Sequence, residues 1–222
     1  MYPTAHPTFA DRRDAGRLLA QALLRYKTED PVILAIPRGG VPIGVEVARA
    51  LDAPLDIIVV RKIGAPFQPE LAIAAVVDGD QPQTVYNPET ADLPSVSDDY
   101  MTKETARQLA EIERRRKLYL GDRSRPPIAG HTAIIVDDGI ATGASVRAAL
   151  IGVRRAAPKH LVLATPVAPP DTVEALRGEA DDIVCLATPE PFLAISQFYR
   201  VFDQLTDAEV IDLLERASRS DH

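Results

Sequence analysis

The chain has 222 residues, 46% of them hydrophobic and 26% charged, with a formal net charge of −7, a single cysteine and no tryptophan. That is enough apolar material for one large core without covalent staples, and one cysteine, Cys185, excludes an internal disulfide framework and most metal clusters. The negative balance argues against attraction to DNA or RNA. Without an apolar run of roughly 18 residues or the apolar core of a signal peptide, no membrane partner and a cytoplasmic location are expected.

In chain order, helical and strand patterns alternate. A helix over Asp11 to Tyr26 leads to an apolar strand at 32–36, a helix at 41–52 and a strand at 56–60. A proline-containing stretch follows, then the apolar run Leu71 to Val77 and a short strand near Thr84 to Tyr86. Asp98 to Leu120 reads as a long charged helix capped by Ser97, with apolar contacts from Met101, Leu109, Ile112 and Leu118. Its run Arg114-Arg115-Arg116-Lys117 could serve a partner, but cations suit the carboxyl end of a helix and read better as a solvated end. Beyond it come a strand at 133–136, a helix at 144–155, a strand at 161–165, a helix at 171–179, a strand at 183–187 and a last helix at 207–217. Thr90–Ser97 and Arg123–Pro127 read as unstructured connections. Alternation of this kind predicts a mostly parallel sheet covered by helices on both faces, with ligands at the carboxyl ends of its strands.

The segment 133–145 is the most informative. A buried strand, Ala133 to Val136, runs into Asp137-Asp138-Gly139-Ile140-Ala141-Thr142-Gly143 and a helix that starts at Ala144-Ser145. The unpaired N–H groups of Gly143, Ala144 and Ser145 and the positive helix end suit a phosphate, and Thr142 and Ser145 add hydroxyl donors. Adjacent carboxylates need hydroxyl donors or a metal ion as partners, and a ribose 5-phosphate meets both demands. Upstream, Val32 to Ile36 runs into Pro37-Arg38-Gly39-Gly40, where paired glycines permit close backbone approach and Arg38 offers a fork that matches phosphate oxygens. A third candidate, Arg61-Lys62-Ile63-Gly64-Ala65-Pro66-Phe67-Gln68-Pro69-Glu70, reads as a mobile loop with two cations at a strand's carboxyl end.

The decapeptide VDDGIATGAS, residues 136–145, resembles the binding motif for 5-phosphoribosyl 1-pyrophosphate (PRPP) of type I phosphoribosyltransferases. Neither a G-x-x-x-x-G-K-[ST] loop nor a G-x-G-x-x-G turn after a strand is present. The resemblance implies one α/β domain over 1–222, its core at about 28–182, and a small hood built from about 183–205 and the amino-terminal residues. It implies a Mg²⁺-dependent transfer of ribose 5-phosphate to a nitrogen acceptor with release of pyrophosphate. PRPP would contact Arg38, Gly39, Gly40, Arg61, Lys62, Asp137, Asp138, Gly139, Ala141, Thr142, Gly143, Ala144 and Ser145, with Arg38, Lys62, Asp137, Asp138 and Glu70 in catalytic roles. Asp137 and Asp138 would meet the metal indirectly, through the ion carried by PRPP. Members of the family often hold a strained peptide bond in the turn matching 37–39, and related enzymes are commonly homodimers. Members that act on 6-oxopurines carry an aspartate where this chain has Ala141, which points instead toward an adenine-like or orotate-like loop. Of the aromatic group Phe192, Phe198, Tyr199 and Phe202, Phe192 is the candidate to stack on a base, while packing against the sheet accounts for the others. Two alternatives keep the fold without this activity: a regulator that binds PRPP or a nucleotide as a signal, and a relative of the competence-associated proteins.

Overall fold

A computed structural model describes residues 9–87, 90 and 96–219 of the chain. Five parallel strands form the main sheet: β1 (Pro31–Ala35), β2 (Leu55–Ile57), β6 (Thr132–Val136), β7 (His160–Val167) and β8 (Asp182–Ala187), in the spatial order β2-β1-β6-β7-β8. β1 and β6 are buried at every position. Continuous apolar runs of this kind belong in a sheet covered on both faces. On one face, α1 (Arg12–Leu23) and α2 (Gly40–Leu51) bury Leu19, Leu23, Ile43 and Val47 against Ile33, Ile134 and Val162. On the other, α4 (Ala144–Arg154) packs Val146, Leu150 and Val153 against Leu34, Ile135 and Leu163, with α5 (Pro170–Leu176) at its side.

The strand order places a topological switch at the centre. From β1 the chain passes to β2 on one side, and the later strands build outward from β6 on the other side. In an open parallel sheet the crevice for ligands opens at the carboxyl ends of such a pair. Pro37–Gly40 and Asp137–Ser145 are the segments that leave β1 and β6 there.

The third candidate loop is not a loop. Residues 60–77 form a hairpin, β3 (Val60–Ala65) and β4 (Gln68–Val77), which joins β5 (Gln83–Tyr86) in a separate antiparallel sheet. The strand expected at 56–60 is accordingly split, with β2 ending at Ile57 and Val60 opening β3. Prolines and glycine exclude helix but not strand: Gly64 sits at a register shift where a Cβ would fall 2.2 Å from the Pro69 carbonyl oxygen. Period-2 burial of Ile63 and Ala65 in the cluster shared with α3 (Asp98–Leu120) holds the hairpin down.

Helix α3 itself spans the residues expected of the long charged helix, and Ser97 caps it by accepting from the Tyr100 N–H. Its basic run is only partly solvated. Arg114 and Arg115 bind Glu111, but Arg116 turns inward to Asp56 at 2.9 Å and Asp78 at 3.4 Å. Leu118 stays 40% exposed, while Tyr119 and Leu120 take the buried positions. The stretch 123–127 is irregular but anchored, through Arg125 to Asp78 and Arg123 to the Leu120 and Leu214 carbonyls. Residues 91–95 of the other expected connection lie outside the described residues.

Residues 183–187, expected at the start of the hood, pair with β7 inside the sheet, so the crossing segment begins after Ala187. That segment returns across the strand ends through a 3₁₀ turn, Ile195–Phe198, and meets Phe9 and Ala10, which precede α1. Phe9 N–H donates to the Phe198 carbonyl at 2.8 Å, and Arg200 N–H donates back to the Phe9 carbonyl at 2.9 Å. The last helix, α6 (Asp207–Arg219), packs beside α2 and α3.

Candidate functional site

Helix α4 begins without a side-chain cap. Its N-cap is Gly143 at φ +76°, a left-handed conformation that glycine adopts without strain. The first N–H groups of a helix have no partner within it, and no side chain caps those of this turn, which also carries the hydroxyls of Thr142 and Ser145. Thr172 steadies the turn from α5 by donating to the Ala141 carbonyl at 2.8 Å. Thr142–Ser145 form one wall of a cavity of roughly 320 Å³, and Lys62 reaches the same cavity from β3.

The acidic pair lies one turn back, at the end of β6. Asp137 accepts the Asp138 N–H at 2.9 Å. Asp138 is buried and bound by the Arg12 Nε at 2.7 Å, and its carbonyl accepts from the buried Tyr199 hydroxyl at 2.5 Å. Loss of water raises both carboxyl pKa values, Asp137 well above the ordinary range, and the Asp138 charge adds to the rise at Asp137. Arg12 opposes the rise at Asp138. Burial also lifts the Tyr199 phenol, followed by the Asp138 charge.

The glycine turn after β1 is pressed against this pair. A Cβ on Gly39 would lie 2.1 Å from Asp138 Oδ2, and one on Gly40 would lie 2.5 Å from the Val136 carbonyl oxygen. Neither position can carry a side chain at this spacing. The Pro37–Arg38 peptide is cis. Gly40 N–H already donates to the Ile36 carbonyl, whereas the N–H groups of Arg38 and Gly39 have no partner among the described residues. The Arg38 guanidinium, about a third exposed, lies 3.7 Å from Asp207 on α6, which also accepts from the Tyr119 hydroxyl at 2.6 Å. Burial and then that hydrogen bond push the Tyr119 pKa up to about 12.

Arg61, Glu70 and Phe192 are placed apart from this centre, whereas Gly139 lies beside Asp138 within it. Arg61 turns to α3, where Nε donates to the Gln108 side chain at 3.1 Å. Glu70 is exposed near the outer end of β4. Phe192 is half-buried with its ring 5.1 Å from that of Phe198, tilted against the core. Gly139 is packed under Ile195, whose side chain a Cβ would meet at 2.5 Å. Cys185 is a half-buried strand residue whose thiol donates to the Ala187 carbonyl. Sequence reasoning missed Arg12, Tyr199 and Asp207. Each approaches the loops from a distant stretch of chain, and no local pattern around them signals it. Among the described residues no three His, Cys, Asp or Glu side chains cluster to hold a metal ion. No helix among them is long and apolar enough to cross a membrane.

Comparison with known proteins matches residues 6–202 to the family model described as the phosphoribosyl transferase domain. Two curated proteins of Mycobacterium tuberculosis, from strains CDC 1551 / Oshkosh and H37Rv and each named "Putative phosphoribosyl transferase", are 46% identical over 211 residues. That is 95% of this chain but 47% of each relative, so the chain spans about half the length of the curated relatives it matches. The crystal structure of TT1426 from Thermus thermophilus superposes with a TM-score of 0.81 at 41% identity, covering 94% of this chain and 98% of that one.

Proposed function

Because the chain belongs to the phosphoribosyl transferase domain family, we propose that it transfers the 5-phosphoribosyl group of PRPP to a nitrogen acceptor and releases pyrophosphate. The observation that carries this reading is the uncapped N-terminus of α4 one turn beyond an acidic pair, half-buried Asp137 and buried Asp138, at the switch point of the sheet. Free amides suit the 5-phosphate. Carboxylates one turn away suit the ring hydroxyls, which donate to them. Arg38 and the unbound N–H groups of Arg38 and Gly39 suit the diphosphate.

In such a transfer the bond from C1 to the diphosphate oxygen breaks as the acceptor nitrogen attacks, and negative charge grows on the leaving group. Donors already aimed at that charge are each worth about 10²-fold or more. Arg38 and the 38–39 amides fill that role, and Lys62, which lines the cavity walled by Thr142–Ser145, adds a cation on that side. Asp137 and Asp138 hold the ribose ring so that attack is in line. Ala141 offers no proton acceptor, which favours a base that does not need deprotonation by a residue at that position.

The donor set fits a magnesium ion that arrives with the substrate. No protein cage of three ligands is present among the described residues, and Mg²⁺ typically keeps waters and binds through one or two carboxylates plus substrate phosphates. Asp137 and Asp138 are the oxygen donors within reach of such an ion or its waters. When bound, the ion neutralises charge on the diphosphate.

Calorimetric titration with PRPP and Mg²⁺, followed by pyrophosphate release across a panel of bases, tests the reading. Binding with release on at least one acceptor is expected. Binding without release on any acceptor would make the chain a PRPP sensor, and no binding at all would remove the assignment.

A further inference from the structure

We propose that Arg12 is a positioning residue for the ribose-binding carboxylate of Asp138, and that the strap Tyr199–Asp203 holds Arg12 in place. The inference rests on the reading of Asp138 as a ligand of the sugar hydroxyls.

Arg12 occupies the first position of α1, directly after Asp11, whose side chain caps the helix by accepting the Asp14 N–H. The helix start therefore fixes where the arginine leaves the backbone. Its guanidinium is then held on three sides. Nε donates to Asp138 Oδ2 at 2.7 Å, Nη1 donates to the Asp203 carbonyl at 2.9 Å, and the Phe202 ring lies under it at 3.8 Å. A cation over an aromatic face, shielded from water, is attracted by the ring quadrupole. The Tyr199 ring packs on Phe202 with centroids 4.8 Å apart, and its hydroxyl holds the Asp138 backbone through the carbonyl. The same strap thus grips Asp138 twice, at the main chain and, through Arg12, at the carboxylate.

The consequence for a ligand lies in which oxygen is spent. Arg12 takes Oδ2, the oxygen nearest to Gly39, and Oδ1 has no partner among the described residues. A carboxylate pinned between a guanidinium and a glycine presents its second oxygen in one direction. Unpinned, it would rotate about its χ angles, and an acceptor that must be ordered by the sugar binds the sugar less well. An ion pair that merely fastens α1 to β6 would not discriminate between ligands, whereas positioning of Asp138 affects the sugar and spares the diphosphate.

Affinities for ribose 5-phosphate and for inorganic pyrophosphate, both without added divalent ion so that the carboxylates meet no metal, measured on the full chain, separate these roles. Arg12→Met is expected to weaken ribose 5-phosphate tenfold or more while pyrophosphate affinity stays within twofold. Arg12→Lys, which keeps a cation but loses the fork, recovers part of the loss. In an Asp138→Asn background the further change Arg12→Met should alter ribose 5-phosphate affinity less than twofold. Tyr199→Phe, which deletes one hydroxyl and leaves the α1 contact intact, should weaken ribose 5-phosphate about threefold and also spare pyrophosphate. Equal binding of ribose 5-phosphate by Arg12→Met, equal loss for both ligands, or the same loss in the Asp138→Asn background overturns the inference and leaves the proposed function standing. Wild-type protein that binds neither ligand overturns both.

Discussion

A methyl group at Gly39 probes the packing on which the candidate site depends. In Gly39→Ala the new carbon would sit 2.1 Å from Asp138 Oδ2 and 2.4 Å from its Cγ, far inside the ~3.5 Å of ordinary contact. The backbone itself raises no objection: Gly39 has φ −60° and ψ −36°, where alanine is favoured over glycine by about 0.4–1 kcal/mol. Relief must come from Asp138, and its carboxylate can leave only by giving up the Arg12 bond at 2.7 Å. A charge-assisted bond of this kind is worth about 1.5–3 kcal/mol, and overpacking adds about 1–3 kcal/mol. The net loss is about 2–5 kcal/mol, which for a chain of this length lowers the melting temperature by roughly 5–15 °C. Gly178→Ala is the control, because nothing lies within 4 Å of its Cβ position and its backbone is not left-handed. Circular dichroism melts of the two variants, with ribose 5-phosphate titrations, make the comparison. A Gly39→Ala protein as stable as the Gly178→Ala control and binding ribose 5-phosphate normally would show that the glycine turn does not abut the acidic pair.

Gly143→Ala places an L side chain at φ +76° and its Cβ 3.0 Å from Thr172 Cγ2; destabilisation of about 1–2 kcal/mol in urea unfolding and weakened ribose 5-phosphate binding are expected. Arg116→Met strips Asp56 of its guanidinium partner and leaves Asp78 with Arg125 as its remaining guanidinium, so chemical denaturation should report a loss of about 3–5 kcal/mol with little change in the turns at 37–40 and 137–145. Asp137→Asn gives a pH signature. The wild-type carboxyl pKa is raised in the fold by lost hydration and by the Asp138 charge, against the weaker pull of the Asp138 N–H and then of Arg12. Stability from this group is therefore fully present below the ordinary carboxylate range and is lost as pH rises toward the elevated folded value. Melting curves at several pH values should show Asp137→Asn gaining on wild type as pH rises from about 4 to 7, and a difference that does not change with pH would refute the burial argument.

The reading of β1, β6 and the turns after them needed only local information. An apolar run that ends in Pro37-Arg38-Gly39-Gly40 or in Asp137-Asp138-Gly139, with a helical pattern beginning just beyond, contains strand, turn and helix start within a few residues. The α3 boundaries were legible for the same reason, since Ser97 and the charged periodicity mark both ends. The hairpin was not. Residues 61–70 carry prolines and a glycine that suit a loop as well as a bulged strand, and what decides is the burial of Ile63 and Ala65 against a helix that comes more than thirty residues later. Arg116 was misread for a parallel reason: its neighbours Arg114 and Arg115 find Glu111 one turn away, while its own partners, Asp56 and Asp78, are brought in by the sheet.

Linear order determined the alternation of strands and helices, the two glycine turns and the acidic pair, because backbone dihedrals, helix caps and burial periodicity act over a handful of residues. Only the tertiary structure decided which oxygen of Asp138 is taken, that Gly39 must lack a side chain, and that Arg12, Tyr199 and Asp207 attend the two loops. Arg12 and Asp138 are 126 positions apart. A contact at that separation depends on the register of the parallel sheet and on the path of the carboxyl-terminal strap, to which short-range propensities are blind.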